Sequence, residues 1–329
     1  MLERDGGSER GQGFRARSTP MIAFVFPGQG SQKVGMGQGL AERFPECQEA
    51  FTQADAALGF PISSLCFDGP ADQLMLTENT QPAVLAVSVA ALRALTARGV
   101  KPQRLAGHSL GEYTAYVAAG TLSFGDALRT VRNRGRYMQA AVPVGQGAMA
   151  VVMGLDEPKV IQACDEAAEG MVVSPANLNA PGQIVIAGES AAVKRAGDRA
   201  KALGAKKVIT LDVSAPFHCA LMQPAQDRLA ADLRALVLSD PAVPVVANVD
   251  AEPKTDVARA ISALVAQVTA PVRWEEVVRR LASEGVDTYV EVGFGTVLKG
   301  LIRKVDRSAR VLSVSDPGGV ESTVAALVT

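Results

Sequence analysis

At 329 residues the chain is longer than one minimal core needs, and length alone points to about two domains. Hydrophobic residues make up 48% and charged residues 20%, the balance of an ordinary globular enzyme. A net charge of −1 announces no broad basic surface, which sets nucleic-acid binding aside. Aromatic residues are only 5% while Ala, Val and Leu abound, which favours helices packed on a buried sheet over an all-β sandwich.

Residues 1–20 are rich in Gly, Ser and Arg and lack the apolar core of a signal peptide. They read as a disordered extension, with Met21 standing directly before the first strand. Ile22–Phe26 is a short apolar run ending at Pro27-Gly28, as a buried parallel strand would. Helical periodicity then fills much of 39–58 and 80–98, and Leu105-Ala106 closes a second strand just before Gly107. Helical patterns return after Leu110 and across 124–141.

From about 145 to 213 the rhythm changes. Ala148–Met153 reads as a strand, 156–168 as a helix with an acidic start, and Met171–Ser174 and Ile184–Ala187 as strands. A helix over 191–203 and the strand Val208–Leu211 complete a β-α-β-β-α-β order, the ferredoxin-like unit. It looks like a small domain (145–213) inserted into a larger one (21–144 and 214–329). Beyond it come a helix near 219–237, the strand Val243–Ala247, and helices near 257–268 and 274–284. The strand Thr288–Val292, a helix near 296–304, the strand Val311–Val314 and a terminal helix follow. Alternating strands and helices on both sides of the insert imply an α/β fold whose sheet is mostly parallel.

Three segments carry chemistry. Gly107-His108-Ser109-Leu110-Gly111 follows a strand and opens a helix, the setting in which a serine on a sharp turn projects its hydroxyl outward. The amide of Leu110, at the helix start, then points where an oxyanion would form. The competing reading is a serine that merely caps its helix. A serine nucleophile needs a base, and the chain has only two histidines, His108 and His218. Adjacent residues on such a turn project apart, so His218 is the candidate. What orients it is open: Asp212 or Asp250 could be nominated, and a backbone carbonyl would serve as well. The third segment, Pro27-Gly28-Gln29-Gly30-Ser31-Gln32, offers the amide of Gln29 as a second oxyanion donor. A dinucleotide-binding reading of it fails, because the third glycine position is Lys33.

No apolar run approaches the ~20 residues of a membrane helix. Cys47, Cys66, Cys164 and Cys219 are scattered, with no pair at zinc-ligand spacing. No metal or redox cofactor is implied, and a reducing cytoplasm fits.

Taken in this order, the motifs resemble the malonyl-CoA:acyl-carrier-protein transacylases and the acyltransferase domains of polyketide and fatty-acid synthases. The resemblance spans about 21 to 315 and rests on 26–32, 107–112, Arg134-Gly135, Ser174–Gly188, Pro216–His218, Val245–Asp250, Gln267 and 291–293. It implies an α/β-hydrolase-like large domain with a ferredoxin-like small one, and ping-pong transfer of malonyl from coenzyme A to acyl carrier protein. By position, Ser109 resembles the nucleophile, His218 the base, the Gln29 and Leu110 amides the oxyanion hole, and Gln267 the residue whose carbonyl holds the histidine. Arg134 resembles the arginine that grips the malonyl carboxylate, and Asn177 falls among the substrate-binding residues. Phe217 resembles a residue that favours malonyl over methylmalonyl. An acidic carrier protein would dock near Lys206, Lys207 or Lys299. A serine esterase, an acyltransferase of a polyketide pathway and a non-catalytic scaffold are the alternatives.

Overall fold

The computed structural model describes residues 20–328. The reading of 1–20 as an extension therefore lies almost wholly outside the described residues.

The strands in chain order are β1 (Ile22–Phe26), β2 (Arg104–Gly107), β3 (Gly147–Met153), β4 (Val173–Ala180), β5 (Gln183–Glu189), β6 (Lys207–Thr210), β7 (Val245–Val246), β8 (Pro253–Lys254), β9 (Thr288–Val292) and β10 (Arg310–Val314). They form two sheets. The larger runs β10-β9-β1-β2-β7-β8, parallel throughout except for the antiparallel β7–β8 pair. β1 and β9 are buried along their whole length; β1 reads accordingly as a continuous apolar run, while β9 buries Glu291, which accepts the Leu298 and Lys299 amides. The smaller sheet is antiparallel in the order β4-β5-β3-β6, the ferredoxin-like arrangement.

The small sheet has two working faces because side chains alternate along a strand. On β3 and β5, Ala150, Val152, Ile184 and Ile186 pack with the helices Glu157–Ala168 and Ser190–Ala202 into a core of their own. Their neighbours Met149, Val185 and Ala187 face the other way and join the main core with Phe217. The outer edge of β4 is bonded to the large domain, through Leu178 N–H to Val272 O at 2.8 Å and Val272 N–H to Ala176 O at 2.9 Å.

The structure departs from the sequence reading in a few places. The helix anticipated over 39–58 is two, Gln38–Arg43 and Pro45–Leu58, because Phe44 is extended ahead of a proline that starts the second. Helix 80–98 begins three residues earlier, at Thr77, and carries Pro82 in its first turns. Short helices at Ile62–Phe67 and Ala71–Met75 are too brief to show a period. β4 does not stop at Ser174 but continues through Pro175 to Ala180, with register irregularities after Pro175 and Leu178. The helix placed over 219–237 is a short 3₁₀ turn followed by Gln223–Arg234.

Candidate active site

β2 ends at Gly107 and the next helix starts at Leu110, so the chain reverses within two residues. Ser109 takes up the turn at φ 53°, ψ −109°, a backbone state that costs a non-glycine residue about 1–3 kcal/mol. The turn is possible because bare backbone meets bare backbone. A Cβ on Gly107 would lie 1.9 Å from the carbonyl carbon of Gly111, and one on Gly111 would lie 2.1 Å from Phe26 O. Ser109 caps nothing in its own helix, which removes the capping reading. The loop after β1 packs on the same turn, and so Gln29 lines the cleft together with Ser109 and Leu110. Among the described residues, neither the Gln29 nor the Leu110 amide N–H donates to a protein acceptor. Both remain available to an incoming oxyanion.

Ser109 Oγ lies 2.7 Å from His218 Nε2, across 109 residues of sequence. His218 Nδ1 lies 2.8 Å from the main-chain carbonyl of Gln267. A carbonyl only accepts, so Nδ1 carries the proton and Nε2 is the free acceptor for the serine O–H. Burial first, and the nearby Arg134 cation second, push the imidazole down to about 3, which keeps it neutral at ordinary pH. The two aspartates nominated to orient it do not. Asp250 pairs with Lys254 and Asp212 sits on the cleft wall, while the carbonyl of Gln267 already occupies Nδ1. His108 turns away, with Nε2 at 2.8 Å from Asn179 Oδ1 and its ring against Trp274.

Arg134 sits on the helix Phe124–Ala141, which crosses the helix Thr77–Thr96 closely at Gly135: a Cβ there would meet Glu78 Cα at 2.7 Å. That approach carries the guanidinium, only 2% exposed, to the floor of the cleft. It donates to Gln81 Oε1 at 2.8 Å, to Gln267 Oε1 at 3.0 Å and to Ser109 Oγ at 3.2 Å. Each acceptor is neutral, and no carboxylate pairs with it among the described residues. A buried cation without a counter-ion is costly, and the open space in front of it suits an anionic ligand. The cleft measures about 610 Å³; Phe217 and Asn177 line it, as do Met149 and Leu211 from the small domain.

Ser109, His218, Arg134, Gln267, Gln29, Leu110, Phe217 and Asn177 therefore gather in one place. Lys206, Lys207 and Lys299 do not line the cleft; the first two are exposed on or beside β6. Two members of the site lie in stretches that carry the resemblance, 107–112 and Val245–Asp250, but the sequence reading gave them no role. Asn248, just past β7, accepts the Ser109 amide on Oδ1 at 2.7 Å and donates to Gly107 O at 2.7 Å. Glu112, fully buried, accepts from Asn248 N–H at 3.0 Å and from Gln267 Nε2 at 2.7 Å. The signal available for Glu112 was a lone carboxylate in the otherwise apolar and hydroxylic helix Leu110–Ala118.

A serine on a strand-to-helix turn, a neutral imidazole at its hydroxyl and two unengaged amides define a serine acyltransferase or hydrolase. The comparisons decide between them. The acyl transferase domain family matches residues 23–321. The malonyl CoA-acyl carrier protein transacylase of Salmonella typhimurium is 48% identical over 304 residues, which is 92% of this chain and 98% of that one. The solved transacylase of Coxiella burnetii superposes with a TM-score of 0.92 at 44% identity, covering 95% of this chain and all of that one. A malonyl-transacylase solved with a type II polyketide acyl-carrier protein superposes at 0.91 with 45% identity, over 93% of this chain and 99% of that one. The chain is an acyltransferase, and it belongs to the malonyl CoA-acyl carrier protein transacylases.

Proposed function

We propose that this enzyme moves a malonyl group from coenzyme A to the phosphopantetheine thiol of acyl carrier protein, by way of an ester on Ser109, and so feeds fatty-acid synthesis. The observation that carries the reading is the buried Arg134 guanidinium, unpaired and 3.2 Å from the serine hydroxyl. Malonyl ends in a carboxylate. A guanidinium at that depth accepts it bidentately and rejects an uncharged acyl group, which would leave the cation unpaired.

The chemistry follows from the contacts. His218 Nε2 takes the Ser109 proton as Oγ attacks the thioester carbonyl. The Gln29 and Leu110 amides receive the oxyanion, and the Gln267 carbonyl stabilises the imidazolium through Nδ1–H. On collapse the C–S bond breaks and the coenzyme A sulfur takes the proton from His218. The carrier-protein thiol then gives its proton to His218 and attacks the ester. The C–O bond breaks, and Ser109 recovers the proton. Covalent chemistry on serine calls for no resident metal or redox cofactor. Phe217 crowds the site and favours malonyl over methylmalonyl, and exposed Lys206 and Lys207 offer an acidic carrier protein a place to dock. The four cysteines are all free and buried, and no described helix is long and apolar enough to cross a membrane; both suit the cytoplasmic location that belongs to this reading.

Intact-protein mass measurement after brief mixing with malonyl-CoA tests it. A malonyl adduct is expected on the wild type, none on Ser109→Ala, and a weakened one on Arg134→Ala. Added carrier protein should discharge the adduct to itself rather than to water. Release as free malonate at the same rate with or without carrier protein makes the enzyme a hydrolase and sinks the proposal.

A further inference from the structure

The strained turn at Ser109 is held by a few main-chain bonds, among them His108 N–H to Phe26 O at 3.0 Å, and three of its peptide groups are also held by two side-chain amides. Asn248 takes Gly107 O through Nδ2 and Ser109 N–H through Oδ1, each at 2.7 Å. Gln267 takes Ser109 O through Nε2 at 3.0 Å. Both residues are in turn tied to one atom: Glu112 Oε2 accepts from the main-chain N–H of Asn248 at 3.0 Å and from the side-chain Nε2 of Gln267 at 2.7 Å. We infer that Glu112 is a positioning residue for the nucleophile, acting through Asn248 and Gln267. The inference rests on the assignment of Ser109 as the acyl carrier.

The carboxylate does more than add a hydrogen bond. A side-chain amide has two nearly isosteric ends, one donating and one accepting. Glu112 Oε2 only accepts, and so it compels Gln267 to turn its NH₂ inward. That leaves Oε1 pointing at Arg134 Nη2, at 3.0 Å, where only an acceptor fits. Gln267 thus stands between a buried carboxylate and a buried guanidinium with its dipole aligned to both, while its main-chain oxygen holds His218. Nucleophile, base and anion-binding arginine all touch this one glutamine, and Glu112 sets its orientation. Glu112 and Arg134 share no direct hydrogen bond; each charge acts on the other across Gln267. Burial pushes the Glu112 carboxyl up to about 7, and the bonds from Asn248 and Gln267 oppose the shift.

Only Oε2 is engaged: Glu112 Oε1 is buried with no partner among the described residues. This makes the conservative variant informative. In Glu112→Gln the amide oxygen can replace Oε2, with the new NH₂ in the idle position. In Glu112→Ala both clamps lose their anchor. The experiment measures labelling of Ser109 by a fluorophosphonate and steady-state transfer of malonyl, both per folded molecule. Glu112→Ala is expected to lose about 10²-fold in labelling rate and in kcat, the size of loss that ångström-scale misplacement brings, with KM little changed. Glu112→Gln is expected to stay within a few-fold of wild type. Wild-type labelling by Glu112→Ala overturns the inference, as does a Glu112→Gln variant as slow as the alanine variant. If Glu112→Ala does not fold by circular dichroism, Asn248→Ala removes one clamp instead, and it must show the same fall in kcat at similar KM or the inference fails. The fluorophosphonate carries no malonyl group. A wild type that takes the probe and not malonyl-CoA therefore refutes the substrate reading alone.

Discussion

The cleft has a floor and a wall, built on different terms. The floor belongs to the large domain. Its polar side chains, Arg134, His218, Gln267, Asn248 and Glu112, are all nearly or fully buried and bonded to one another or to the Ser109 turn. The wall comes from the small domain through Met149, Asn177 and Leu211, and the Asn177 side chain has no hydrogen-bond partner among the described residues. A network of this kind fixes its members' positions, whereas a wall of side chains packed singly only supplies contact. Chemistry should therefore fail steeply when the floor is changed, and binding should soften gradually when the wall is.

The largest effect belongs to the floor's centre. Ser109→Ala should reduce malonyl transfer by roughly 10⁴-fold or more, since the acyl-enzyme cannot form, with the midpoint of thermal unfolding nearly unchanged. Residual transfer above that level would mean another residue carries the acyl group.

Arg134→Ala comes next. Removing one member of a buried charge pair with the substrate should cost about 2–5 kcal/mol, and acylation by malonyl-CoA should fall accordingly. The discrimination against acetyl-CoA should shrink with it. A second consequence concerns pH. Arg134 helps to hold His218 down to about 3, so the variant's imidazole should titrate higher, although burial still keeps it below 6.5. Below its pKa His218 is protonated and accepts nothing from Ser109. The acidic limb of fluorophosphonate labelling should therefore lie far down in the wild type and move to higher pH in Arg134→Ala. An unmoved limb would show that the cation does not act on the imidazole.

Gly135→Ala probes how Arg134 is delivered. The added methyl would press on Glu78 backbone and Thr77 O, each at 2.7 Å, and neither can swing aside. Forcing the two helices apart should cost about 1–3 kcal/mol of stability. It should also weaken malonyl acylation more than fluorophosphonate labelling, because the turn is untouched while the guanidinium shifts. Equal loss of both would indicate general unfolding instead.

How much of this was legible in the chain follows the same division. The strand before Gly107, the helix after Leu110 and the alternation of the small sheet announce themselves, because burial imposes a period on neighbouring residues. β4 beyond Pro175 did not, since its edge is completed by Val272, nearly a hundred positions away, and not by local pattern. Ser109 and His218 were found by motif and by scarcity. The partner of His218 could not be found that way: every residue has a carbonyl, and only folding brings that of Gln267 to Nδ1. The roles of Glu112 and Asn248 were hidden for the same reason, their contact closing across 136 residues. The resemblance supplied Gln267 and Arg134 where the residues alone left the choice open.

Asn177→Ala tests the wall with the smallest expected effect. The side chain lines the cleft from a strand whose links to Val272 run through main-chain atoms of Ala176 and Leu178, so truncation leaves the small domain attached. Losing one neutral hydrogen bond to a ligand costs about 0.5–1.5 kcal/mol, which corresponds to a rise in KM of a few-fold to about tenfold. The rate of Ser109 acylation at saturating malonyl-CoA should hold, because the Asn177 side chain makes no hydrogen bond to the serine, its base or the clamps on the turn. Stopped-flow acylation across substrate concentration separates the two quantities. A rise in the half-saturating concentration alone keeps Asn177 on the wall; a fall of the plateau by tenfold or more would place it in the floor and erase the distinction between the two regions.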